Sequence, residues 1–174
     1  MQRCFIFFML VCSLPLHGQE GDLLQYLQQY EGSWAGHFSI HSTANGYTES
    51  FPVEQRYWWE GEVLYGRAVS TRADGVETAT SKTWVEGGKY IAEITRGAVK
   101  EAYFGVLHDR GVLWLSTNLA RANDYQMREL FLPQEQQGRP RKMRIEGFDT
   151  YVYAKGLAHL IVKGELTLKP EEAK

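Results

Sequence analysis

Gly32-Ser33-Trp34-Ala35-Gly36-His37-Phe38-Ser39-Ile40 is the stretch on which the fold turns. Trp34, Gly36, Phe38 and Ile40 fall on one side of it, and Ala35, His37, Ser39 and His41 on the other. Strand side chains point to opposite faces with period two, so this is a half-buried strand whose core side opens on a tryptophan.

Upstream, Leu23, Leu24, Leu27 and Tyr30 recur at helical spacing behind Asp22, a candidate N-cap, and Gly32 stops the run. One or two turns of helix are not stable without packing, so this segment is expected to close one end of the downstream sheet.

Downstream, turn signals come at short, even intervals: Asn45-Gly46, Glu60-Gly61, Asp74-Gly75, Gly87-Gly88, Arg96-Gly97, Asp109-Arg110-Gly111, Ala122-Asn123-Asp124, Gln137-Gly138-Arg139-Pro140 and Lys155-Gly156. The runs between them are rich in Val, Ile, Thr, Tyr and Trp, which favour strands. Ten strands are predicted, over 33–42, 48–59, 63–72, 77–86, 89–95, 99–109, 112–119, 124–132, 142–152 and 157–168. Pro52 removes a ladder donor and calls for a bulge or an edge. No helix is long enough for a parallel crossover, so the sheet is read as an antiparallel meander. The expected fold is all-β, a single up-and-down barrel of about eight to ten strands over residues 20–169, with a short N-terminal helix. Closure hides the edges; a two-sheet sandwich is the alternative.

Residues 1–18 have the layout of a secretory signal peptide. Arg3 supplies the positive start, Cys4 to Leu16 is almost wholly apolar, and Gly18 is a candidate cleavage position. An uncleaved anchor is the alternative. The run is too short for a bilayer of ~30 Å. Residues 170–174 read as a disordered tail. Both cysteines, Cys4 and Cys12, lie in the leader, so a mature chain of about 156 residues stands on its core alone. Losing Arg3 leaves 18 basic residues against 21 acidic, a net −3, which argues against a general nucleic-acid binder. Arg139, Arg141, Lys142 and Arg144 read as a solvated strand edge.

A short helix followed by Gly-x-Trp at the start of a meander of this length resembles the lipocalin or calycin superfamily. Tyr30-Glu31-Gly32-Ser33-Trp34-Ala35-Gly36 behind a secretory leader is similar to the uncharacterised lipocalin-like domains of bacterial exported proteins. The resemblance implies structural roles for Gly32, Trp34 and Gly36, and a basic residue from a late strand lying across the tryptophan. No arginine follows Arg144, which leaves Lys163 or Lys169 for that place. Nitrobindin-type haem barrels open similarly on Gly-x-Trp-x-Gly and hold haem through a late-strand histidine, a part open to His159.

His37 and His41 share a face but lie ~13 Å apart along a strand, too far to share an ion, and no metal site is expected. His159 lies on the face of Leu157, Ile161 and Lys163; Ala158, Leu160 and Val162 form the other. If the first set faces inward, His159 is a buried imidazole able to bind haem; if the second does, it is a surface residue. No Gly-x-Ser-x-Gly elbow or phosphate loop occurs. The aspartates, Asp149 among them, read mostly as turn or cap residues.

What remains is a set of polar residues on apolar faces: Gln55 beside Tyr57 and Trp59, Glu101 beside Tyr103, and Glu129 beside Tyr125 and Met127. Polar groups are costly to bury alone, so these meet a partner inside or a ligand. The leading expectation is an exported, periplasmic or extracellular, non-enzymatic binding protein for a small apolar or amphipathic molecule. Tyr57, Trp59, Tyr103, Tyr125 and Met127 would line its site, and Gln55 and Glu129 would orient the ligand. No cofactor is expected in that reading. The alternatives are a haem barrel with His159 as axial ligand, a barrel enzyme using Glu129 or Glu101, and a structural module filled by its own aromatics.

Overall fold

A computed structural model describes residues 17–108, 111–121, 123–134, 141–154 and 156–170. Residues 1–16 of the leader expected over 1–18, Arg139, and residues 171–174 of the tail expected over 170–174 lie outside the described residues. The chain opens with a helix, α1 (His17–Leu27), and a 3₁₀ turn, Gln28–Tyr30. Ten strands come next among the described residues. They are β1 (Gly32–Ser42), β2 (Thr48–Glu60), β3 (Val63–Arg72), β4 (Gly75–Glu86), β5 (Lys89–Arg96), β6 (Val99–His108), β7 (Gly111–Ser116), β8 (Tyr125–Phe131), β9 (Lys142–Tyr153) and β10 (Gly156–Leu168). Each pairs antiparallel with the next, and β1 also pairs with β10, so the sheet is one closed barrel and not a sandwich.

The helix differs from expectation at its start. Asp22 lies within α1 rather than capping it, because Gln19 and Glu20 before it are good helix formers. Leu23, Leu27 and Tyr30 lie on one face and are buried in the barrel. The Tyr90 hydroxyl donates to the Leu23 carbonyl at 3.1 Å, and the Trp34 indole donates to the Tyr30 carbonyl at 2.7 Å. These bonds tie the plug to the wall.

Trp34 is 0% exposed, among Leu27, Tyr30, Met143 and Leu166. The Arg141 guanidinium lies 5.9 Å from its ring centre. The basic partner of the tryptophan is therefore Arg141, just before β9, and not Lys163 or Lys169. Lys169 instead pairs with Glu54 at 2.8 Å. Gly36 has a steric reason to be glycine: a Cβ there would run into the Glu165 carbonyl of β10, so its absence lets the two closing strands approach. Pro52 sits on the part of β2 that the ladder to β3 does not reach, since that ladder begins at Val53–Ser70.

Candidate functional site

The plug and the inward aromatics fill one end of the barrel. Above them lies a cavity of about 80 Å³. Leu27 and Tyr30 form its floor. Its wall is Tyr57 from β2, Leu64 from β3, Ser81 and Thr83 from β4, Ala92 and Ile94 from β5, Tyr103 from β6, Trp114 from β7, and Tyr125, Met127 and Glu129 from β8. At about 10–15 Å³ per water, the space suits a molecule of roughly six non-hydrogen atoms, well below the ~300–1,000 Å³ of a drug-sized site.

Glu129 is the carboxyl-bearing side chain of this wall. Its Oε2 accepts two hydrogen bonds, from the Tyr30 hydroxyl at 2.9 Å and the Trp114 indole at 3.0 Å. Among the described residues no hydrogen bond reaches Oε1. That atom is not sealed off, because no buried side-chain oxygen in the described barrel lacks a partner; it opens on the cavity. Across the sheet Glu129 is flanked by Val112 on β7 and Ile145 on β9, both buried and apolar. Burial pushes its carboxyl above the usual range, while the bonds from Trp114 and Tyr30 pull the other way.

The tyrosines are shifted in the same sense. Burial, then the nearby Glu129 charge, raises Tyr26 to about 12 and moves Tyr30 and Tyr57 further upward. All three are neutral near pH 7. Tyr57 lies 5.6 Å from Tyr30 in an edge-on contact, and Tyr103 lies 4.6 Å from Tyr125.

Of the residues singled out in the sequence, Tyr57, Tyr103, Tyr125, Met127 and Glu129 line this one cavity. Gln55 and Trp59 do not. Gln55 accepts from the Tyr57 hydroxyl at 3.0 Å and so holds that ring; Trp59 is half-buried and packs against the core. Tyr30 and Trp114, which hold Glu129, were not anticipated as site residues. Tyr30 belongs to the plug by spacing. Trp114 lies in Val112-Leu113-Trp114-Leu115, a run without alternation that hides which face is inward.

The opposite end of the barrel is polar. The Tyr103 hydroxyl donates to Glu101 at 2.9 Å. Arg121, in the 3₁₀ turn Leu119–Arg121 between β7 and β8, bonds Glu101 at 2.9 Å and also bonds Asp149. Asp149 is thus an ion-paired residue inside β9, not a turn or cap residue. Ser42 and Tyr151 share a 2.5 Å hydrogen bond on the β1 and β9 side. Glu49 takes the Ala73 amide and the Arg72 guanidinium, which hold its carboxyl below the ordinary range. The rim of this end carries exposed Val76, Val99, Leu119, Val152 and Leu157.

His159 is on the outer face. Ala158 faces in, His159 is exposed, its Nδ1 is 2.9 Å from the Thr150 hydroxyl, and its ring meets Phe148 edge-on. The imidazole does not reach the interior, where a barrel haem would lie, because period two puts it opposite the core residue Ala158. His37 and His41 are likewise exposed. Among the described residues no group of three His, Cys, Asp or Glu side chains is placed to hold a metal, and no helix is long and apolar enough to cross a membrane.

No family model matches the chain, and no curated protein matches it by sequence. Among solved structures, the S-type phycobiliprotein lyase CPES from Guillardia theta is similar in fold. Its TM-score is 0.56, at 8% identity, with 91% of this chain and 100% of that one covered. At that identity the likeness is one of fold alone.

Proposed function

We propose that the barrel is a non-enzymatic binding protein for a small, partly apolar molecule held in the interior cavity. The observation that carries this reading is Glu129 Oε1, a carboxylate oxygen open to a cavity whose other walls are mostly aromatic and aliphatic. Ligand sites have this composition: apolar walls and a few placed polar groups. Tyr57, Tyr103, Tyr125 and Met127 enclose the molecule, Glu129 orients it, and Gln55 positions Tyr57. The small volume selects compact ligands over lipid-sized ones.

Export belongs to the same proposal. Residues 1–18 act as a cleaved leader that directs the chain out of the cytoplasm, and N-terminal sequencing of protein recovered from its own host tests the cleavage: an intact Met1 overturns it.

The binding reading is tested by native mass spectrometry of protein purified from its own host. A reproducible added mass is expected, lost in Glu129→Ala and in the cavity-filling Ala92→Leu, with both variants folded by circular dichroism. An added mass that survives both variants lies elsewhere and overturns the assignment of this cavity.

A further inference from the structure

The cavity wall has an uneven charge inventory. It holds one carboxyl, Glu129, and no lysine, arginine or histidine. The cation at the mouth, Arg121, is committed to Glu101 and Asp149. Ions buried in proteins are paired or neutralised, since an isolated one is very costly. Glu129 has only neutral donors on Oε2 and an accessible Oε1. The same cavity is lined by the aromatic rings of Tyr30, Tyr57, Tyr103, Tyr125 and Trp114, and aromatic rings attract cations.

We infer that the cavity selects a small organic cation, an alkylammonium, whose charged head pairs with Glu129 Oε1 and whose carbon chain lies among the aromatic rings. This rests on the reading of the cavity as a binding site and names the ligand class. A neutral ligand leaves the carboxyl without a counter-charge. A carboxylate ligand puts two like charges in one dry space. An ammonium supplies the missing counter-charge and an N–H donor for Oε1, and hydroxyl acceptors among the lining side chains are available to its other N–H groups.

Such pairing carries a pH signature. The titratable groups facing Glu129 are Tyr26 and Tyr30 from the plug, Tyr57 from β2, Tyr103 from β6 and Tyr125 from β8, all neutral below pH 9. Trp114 from β7 does not titrate, and the strand neighbours Val112 and Ile145 are apolar. Below the carboxyl's raised value an incoming ammonium displaces the Glu129 proton, so its affinity rises as pH rises through that value. The proton leaves to solvent, and no bond in the ligand changes.

The test is calorimetric titration of the mature protein with three four-carbon probes: butylamine, 1-butanol and butyrate. Butylamine is expected to bind about tenfold or more tighter than 1-butanol, with butyrate weakest. Titrated at pH values from about 4 upward, the amine should bind more tightly as pH rises through the carboxyl's raised value, and at the acidic end its binding enthalpy should change with the ionisation heat of the buffer. Glu129→Gln should bring the amine down to the alcohol's level and leave the alcohol within about twofold. Equal or tighter binding of 1-butanol, or amine binding untouched by Glu129→Gln, overturns the cation assignment and leaves the binding site standing. No binding of any probe, or binding that survives Ala92→Leu, overturns both.

Discussion

Tyr30 and Glu129 lie 99 positions apart in the chain and share a 2.9 Å hydrogen bond inside the barrel. The end of the plug is thereby joined to the carboxyl of the cavity. Tyr30 also gives its backbone carbonyl to the Trp34 indole, so one residue ties the plug, the first strand and the site together.

Tyr30→Phe keeps the ring and removes one donor to Glu129. It is expected to cost about 1 kcal/mol in urea unfolding and to raise the carboxyl's titration further, since a bond favouring its charged form is gone. The titration is read by carbon-labelled NMR of the Glu129 carboxyl. A downward shift would contradict the placement of this bond.

The raised Glu129 carboxyl makes stability depend on pH. In the folded chain it keeps its proton to higher pH than in the unfolded one. Its contribution is therefore full below the ordinary glutamate value of about 4 and is lost as pH rises through the folded value. Glu129→Gln removes that loss. The variant should gain on the wild type as pH goes from about 4 to neutral, measured by urea midpoints. Parallel curves would mean that Glu129 is not desolvated.

Trp34→Ala empties a site of 0% exposure and should cost about 3–5 kcal/mol. Arg141→Ala leaves the indole in place and removes only the cation over its ring, for about 0.5–1 kcal/mol. Thermal unfolding of both variants separates packing from the cation contact.

Arg121 bridges two carboxylates that are partly exposed, so Arg121→Ala should lose no more than about 1 kcal/mol. Its larger effect is expected on access. With the clasp across Glu101 and Asp149 gone, acrylamide should quench Trp114 fluorescence more strongly at an almost unchanged Tm. Unchanged quenching would show that the clasp does not restrict the mouth.

Gly36→Ala forces a Cβ into the β10 backbone and should cost about 3 kcal/mol. Gly21→Ala, on the exposed side of α1 with nothing within 4 Å, should instead stabilise by up to about 1 kcal/mol. Chemical denaturation of the pair compares them directly.

What the sequence by itself determined was local. Alternation and turn residues marked ten strands to within three residues at each end, because a two-residue period and a positive-φ glycine are properties of the chain alone. The same period grouped Gln55, Tyr57 and Trp59 on one face of a strand and Tyr125, Met127 and Glu129 on one face of another, while leaving open which face is inward. Period says nothing about height along the barrel axis or about what stands across the interior. Tyr57 and Trp59 share a face two residues apart, yet only Tyr57 reaches the cavity. Tertiary structure decided that β10 closes on β1, that Arg141 covers Trp34, that Tyr30 and Trp114 meet on one oxygen of Glu129, and that His159 looks outward. Each of these depends on barrel closure bringing together residues remote in sequence, and no local pattern encodes that distance.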